Sequence, residues 1–330
     1  MDPLVGKPTQ TGSADTVRVV TNRRKPWIAF LVSWLAPGLG HLYAGDLWGI
    51  LFSLVAVWIT MTGVLPFALS GSVPFTIWFI WLGLAITFIV VPLYAAIAAR
   101  RAPVPYEIKP FNRWYVYLGA WLAWSLVFSF AVESIRLKVI EAFRIPSGSM
   151  EPSVLVGDFI YVDKRENRRS SITRGTIITH QSVEEEGMTV IKRVVALPGD
   201  TIAMSKGRFL INYQPVEEPY IQAPEGRSEE PMQRAKMHRW QLDYLVGGPQ
   251  PDYQPDLSDW GPLVVPPASY FVLGDNRDAA YDSRYWGFVP FELVTGVPSV
   301  VYWSYDRQSY KPLPYLTAIR WNRIGLDLSQ

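Results

Sequence analysis

The chain has 330 residues, of which 49% are hydrophobic and 14% aromatic, and its formal net charge is +2. That length leaves room for about two domains, and so small a net charge gives no basic field to recommend a nucleic-acid partner. There is no cysteine, which removes disulfides, thiolate metal sites and a cysteine nucleophile together.

Residues 1–22 are polar and read as a flexible tail. Arg23, Arg24 and Lys25 then precede an uncharged stretch, Pro26 to Gly45, and after Asp46 a second uncharged run extends from Leu47 to Ala99. The second run is too long for one crossing, and "SGSVP" (Ser70–Pro74) marks a turn within it. Each half exceeds the roughly 20 apolar residues a membrane helix requires. Trp114 to Val132 supplies a further candidate. The spans are therefore expected at about 47–69, 75–97 and 114–132, within a transmembrane region of 23–133. The segments are too long and too many for a removable leader.

Positive charge sets the orientation. Arg23, Arg24 and Lys25 flank one end, and Arg100, Arg101, Lys109 and Arg113 precede the last span. The positive-inside rule places both clusters, and the tail, in the cytoplasm, so an even number of crossings separates them. Segment 26–45, broken by Pro37, Gly38 and Gly40, is the weakest of the three between them and reads as re-entrant or interfacial. A reversed N-terminus is the competing solution. On the first solution everything after Glu133 faces outside.

From residue 134 the composition turns to strand-like runs rich in Val, Ile, Tyr and Phe: 158–164, 175–180, 189–197, 208–216, 269–275 and 296–305. The fold class is therefore a multi-span helical region followed by a mostly β domain over 134–330. Residues 222–262, crowded with Pro, Gly and charge, read as a surface insertion, in part mobile.

Two stretches invite chemistry. "FRIPSGSMEPSVLVGD" (143–158) sets Ser147, Ser149 and Ser153 around Gly148 and Pro152. A serine nucleophile needs a base, an oxyanion hole and a turn that exposes its oxygen. A plain Gly/Ser turn leading into a strand is the blander alternative. "GMTVIKRVVALPGD" (187–200) puts Lys192 on one strand face with Val190 and Val194, because alternate residues point to opposite faces. An apolar face strips hydration from the ammonium and lowers its pKa, so that a neutral amine can take a proton near neutral pH. A lysine snorkelling out of the sheet is the commoner fate. "VLGDNRDAAYDSRYWGFVP" (272–290) is dense in Asp and Arg, and such pairs usually brace a structure. Of the histidines, His41 lies in the membrane region, His180 reads as an ordinary surface or edge residue, and His238 as solvated.

Taken in order, "IPSGSMEPSVLVGD", "IKRVVALPGD" and "GDNRDAAYDSRYWGFVP" resemble the type I bacterial signal (leader) peptidases, membrane-anchored serine proteases with a Ser-Lys dyad. The resemblance covers roughly Phe143–Val216 and Leu263–Gly325. It implies a mostly antiparallel β catalytic domain, with Ser149 as nucleophile, Lys192 as general base, and Ser147 in the oxyanion hole beside the Ser149 N–H. It also implies that Arg193, Asp275, Asp282 and Arg284 support the site. Phe143, Ile145 and Pro146, with Val190 and Ile191, would wall shallow apolar pockets that admit small side chains. The implied substrates are exported preproteins cut after small-x-small sequences, at the bacterial cytoplasmic membrane, with the catalytic domain facing the periplasm or the outside. The partners are then those preproteins and the lipid bilayer, not nucleic acid, and no metal or organic cofactor is called for. Two features depart from the family pattern. Ala279-Ala280 stands where Asn-Ser is usual, so the base lacks one hydroxyl partner, and the helical region has more spans. The rival readings are a self-cleaving repressor-type protease and a non-catalytic membrane scaffold or substrate-binding homologue.

Overall fold

The computed structural model describes residues 19–20, 23–69, 81–165, 171–221 and 231–329; at 19–20, 60–69, 131 and 135 only the backbone is described. Most of the expected tail, the Ser70–Pro74 turn, the start of the 75–97 span and the 222–230 part of the insertion lie outside these residues. The chain divides into two compact units, Met1–Ala131 and Val132–Gln330.

In the first unit β1, Val19–Val20, pairs antiparallel with β2, Tyr106–Glu107. Segment 26–45 is two short helices, α1 Pro26–Leu35 and α2 Leu39–Ala44. Pro26 opens α1, where a missing N–H costs nothing. Ala36, ahead of Pro37, is extended and ends it. Then follow α3 Leu47–Leu69, α4 Trp81–Arg101 with a π turn at Ile86–Val90, and α5 Trp114–Lys138. Among the described residues, α4 and α5 are long and apolar enough to cross a membrane. Both run past the ends expected at 97 and 132. Their last turns carry Arg100 and Arg101, and Arg136 and Lys138, which the negative end of a helix dipole favours.

The inside of this unit is built from small residues. Ala29, Ala44, Ala95 and Ala99 form its buried cluster. A Cβ on Gly40 would collide with Ser33 Oγ, the Ala29 carbonyl and Ala95, so only glycine lets α2 sit this close. His41 is fully buried, its Nδ1 3.2 Å from Asp46 Oδ2.

The second unit is all antiparallel. A seven-stranded sheet has the order β12-β11-β6-β5-β13-β4-β3 and a four-stranded sheet the order β10-β7-β8-β9. In chain order these are β3 Ile140–Arg144, β4 Asp158–Asp163, β5 Ile177–Gln181, β6 Thr189–Ala196, β7 Thr201–Ser205, β8 Arg208–Ile211, β9 Gln214–Pro215, β10 Trp260–Val264, β11 Ser269–Leu273, β12 Val289–Pro290 and β13 Val294–Ser304. β5 and β11 lie inside the large sheet and are buried almost throughout, which accounts for the apolar run Tyr270–Leu273 in β11, whereas β5 buries Thr179 and His180 as well as Ile177 and Ile178. β4 and the long β13 pair across two bulges, and β3 is left as a sheet edge.

Two expectations need correcting. Within the expected surface insertion, α6 (Pro231–Gln241) buries Met237 and Gln241, and Met237, Leu245 and Trp260 belong to the core beside the small sheet. A few apolar residues spaced among charges and prolines suffice to dock the segment. His180 is not at the surface. It lies within β5, opposite Val190 on β6 and Val294 on β13, with no exposed area. Burial pushes its imidazole down to about 4. His238 is half-buried and stacks on Tyr253.

Candidate active site

The turn that carries Ser149 hangs from apolar pegs. Ile145, Met150 and Val154 are buried in one cluster with Ile160, Val162 and Val301. The Val154 N–H reaches the Met150 carbonyl and the Glu151 N–H that of Gly148, so the chain reverses tightly around Ser149. From the other side Asn276 holds the turn, its N–H donating to the Ser149 carbonyl and its Nδ2 to the Gly148 carbonyl at 3.2 Å. Gly274 permits this approach, since a Cβ there would lie 2.5 Å from the Ser149 carbonyl oxygen and collide with Ala280. Sequence reasoning missed Asn276 and Gly274. Both sit in the quoted 272–290 stretch, but their partners are remote in the chain.

Lys192 comes from β6, whose register sets it opposite Ile178 of β5. Its Nζ lies 3.0 Å from Ser149 Oγ and donates to the Ile191 carbonyl at 3.0 Å. The side chain is 3% exposed and Ser149 is 9% exposed. Burial pushes the ammonium down from its ordinary 10.5 to about 8. Asp282 and Asp275 pull it back up, and Arg284 adds to the fall. A lysine so placed gives up its proton near neutral pH, and its nearest side-chain hydroxyl contact is Ser149.

Around this pair run buried ion pairs. β11 is the neighbour of β6, with Leu273 opposite Arg193, so Asp275 emerges beside the guanidinium. Arg193 donates to Asp275 through Nε at 2.8 Å and Nη2 at 2.6 Å, and also to the Gly175 carbonyl and Ser153 Oγ. Tyr220 covers the guanidinium, 4.0 Å from ring centre to Cζ. Asp282 caps α7 (Ser283–Trp286) and also accepts from the Gly274 N–H. Arg284 pairs with Asp282 and donates to the Arg277 and Ala280 carbonyls. Arg277 pairs with Glu218 and closes the loop through the Gly274 carbonyl. Each charge has a partner, the condition on which buried ions are tolerated.

The remaining expected residues fall in two groups. Phe143 and Ile191 are half-buried against the cluster that holds Ile145, and Pro146 and Ser147 are exposed beside it. Strand alternation sets Val190 on the same face of β6 as Lys192 and Ile191 on the other. Ala280 is buried. Among the described residues no group of acidic or histidine side chains is arranged to hold a metal ion.

A family model described as signal peptidase, peptidase S26, matches residues 118–303. A protein named signal peptidase I from Leptolyngbya laminosa is 37% identical over 52% of this chain and 73% of its own. A probable signal peptidase I-2 from Synechocystis is 32% identical, over 61% and 78%. A signal peptidase I from Aquifex aeolicus is 34% identical, over 58% and 87%.

Proposed function

The chain belongs to the S26 signal peptidase family, and we propose that it is a membrane-bound serine endopeptidase that removes N-terminal signal peptides from exported preproteins. The observation that carries this reading is the 3.0 Å approach of a buried Lys192 amine to Ser149 Oγ. In the proposed mechanism neutral Lys192 takes the hydroxyl proton as Oγ attacks the scissile carbonyl. The oxyanion receives hydrogen bonds from the Ser149 N–H and the exposed Ser147 hydroxyl. The protonated lysine then hands its proton to the leaving amine. A water activated by the same amine hydrolyses the acyl-enzyme and frees Ser149.

Arg193, Asp275, Asp282 and Arg284 keep β6, β11 and the Ser149 turn in register and touch no reacting atom. Phe143, Ile145 and Ile191, with Pro146 beside them, provide a shallow apolar surface on which small side chains fit. β3 is a free sheet edge that runs into this segment, and an extended peptide can pair with such an edge. The anchor is the helical unit, with crossings at about 47–69, 75–97 and 114–132, segment 26–45 re-entrant or interfacial, and the catalytic unit outside the cytoplasmic membrane.

The non-catalytic reading that Ala280 raised is not favoured. The amine keeps its contact with Ser149 and gains the Ile191 carbonyl, so the base remains poised without the extra hydroxyl. Purified full-length protein in detergent, mixed with a preprotein, tests the assignment. Ser149→Ala and Lys192→Ala should each lower cleavage by roughly 10⁴-fold or more, and the double variant by little beyond that. Near-normal turnover by either single variant would remove that residue from the mechanism.

A further inference from the structure

In the first unit a second site is built around Arg24. Its guanidinium lies 4.0 Å from the Tyr106 ring centre and 4.6 Å from that of Tyr43. Both rings are fixed: Tyr106 donates its hydroxyl to Asn112 Oδ1 at 2.9 Å, and the Tyr43 hydroxyl accepts from the Lys25 N–H at 3.2 Å. Asn112 is in turn held by the Leu42 carbonyl and the Tyr117 hydroxyl. The residue is thus clamped face-on, yet its Nε and Nη2 are buried and find no hydrogen-bond partner among the described residues. Glu107, the acidic residue on β2, is exposed and makes no ion pair with it among the described residues. A desolvated guanidinium left this way is costly. Its planar fork suits a phosphate or carboxylate.

Arg24 lines a cavity of about 510 Å³ whose other walls include Val32, Leu35, Leu39, Leu118 and Trp121. One end is cationic and hydrogen-bonding, the rest hydrocarbon. Arg23, Lys25, Lys109 and Arg113 lie in the same two flanking segments, so the local field is positive. A free phosphate has no use for the apolar wall, and a neutral lipid none for the unpaired fork. We propose that this cavity binds an anionic phospholipid, with its phosphate on Arg24 and the head of an acyl chain along Leu35 and Leu118. The site sits at the end of the helical unit that the proposed topology puts in the cytoplasmic leaflet, where anionic lipids draw basic segments. It rests on that membrane placement and is independent of the Ser149–Lys192 chemistry.

The full chain is extracted in detergent and exchanged into mixed micelles holding equal amounts of dioleoyl phosphatidylglycerol and dioleoyl phosphatidylcholine. The lipid retained per chain after gel filtration is then counted by mass spectrometry. The wild type should retain phosphatidylglycerol over phosphatidylcholine by about tenfold, the size of one charge-assisted hydrogen bond. Arg24→Gln should bring the ratio close to one, and Arg23→Gln, the same charge change on an exposed neighbour, should leave it intact. Leu118→Trp, which fills the apolar wall and spares the guanidinium, should also expel the lipid and decides the matter if Arg24→Gln does not fold. Equal losses from Arg23→Gln and Arg24→Gln would mean diffuse surface attraction and overturn the site. So would unchanged retention in Leu118→Trp, or displacement of the lipid by excess inorganic phosphate, which would mark a free-anion site. Recovery of wild type and variants from the membrane fraction separates loss of this lipid from failure of the membrane placement.

Discussion

The two units bury opposite things. In the helical unit Trp48 is 80% exposed and Trp114 75%, while alanine, serine and a histidine are inside. In the β unit the apolar side chains are inside, and so are Lys192, Arg193 and Arg284, each at most 6% exposed. Outward tryptophan and inward alanine suit a hydrocarbon solvent, in which small residues let helices pack closely. Inward charge suits a protein in water only where partners are complete, as they are around Asp275 and Asp282. The contrast shows that burial alone does not mark function: His41 and Lys192 are equally hidden, but only Lys192 faces a serine hydroxyl.

All-or-none effects test the first half of this comparison. A reporter fused after Ala102 should lie in the cytoplasm and one fused within residues 225–230 outside. An outside signal after Ala102 would mean that 26–45 crosses fully or that the N-terminus is reversed. The second half is tested by Asp275→Ala, which strands the Arg193 guanidinium. That should cost about 3–5 kcal/mol of stability, read as a fall in the unfolding midpoint of the full chain in detergent. A midpoint close to that of the wild type would mean that the Gly175 carbonyl and Ser153 satisfy Arg193 alone.

The smallest effect concerns Ala280. A serine there would offer the Lys192 amine one more hydrogen bond, worth about 0.5–1.5 kcal/mol and so at most about tenfold in rate. Because the Ile191 carbonyl already holds the amine, Ala280→Ser should raise cleavage several-fold at neutral pH, and Ser149→Ala should abolish the gain. An unchanged rate and pH profile would show that the missing hydroxyl has no consequence.

Much of the β unit was legible, because strands such as Asp158–Asp163, Thr189–Ala196 and Val294–Ser304 carry β-branched and aromatic runs that local sequence displays. The proposed catalytic pair was legible as motif and as face: Lys192 among valines, Ser149 in a glycine turn. Neighbourhood was not. Nothing local says that β6 lies between β5 and β11, and that order is what brings Asp275 to Arg193, Asn276 to Gly148 and His180 into the sheet. α6 was hidden for another reason. Its burial rests on Met237 and half-buried Trp240 in an otherwise polar helix, too few apolar positions to show a period. The Arg24 clamp combines residues 24, 43, 106 and 112, and no spacing in the chain announces it.

The central claim is that Lys192, its pKa lowered by burial, is the base for Ser149. A lysine whose folded pKa is depressed weighs on stability most below that pKa, and the weight lifts as pH rises from about 8 toward 10.5. Activity follows the same proton. The direct measurement is kcat/KM for a signal-peptide substrate against pH, on the full chain in detergent. The rate should climb as the pH rises, with its midpoint at about 8, and the climb should vanish in Lys192→Ala. A midpoint in the histidine range, or a profile flat from neutral to alkaline pH, would contradict the assignment.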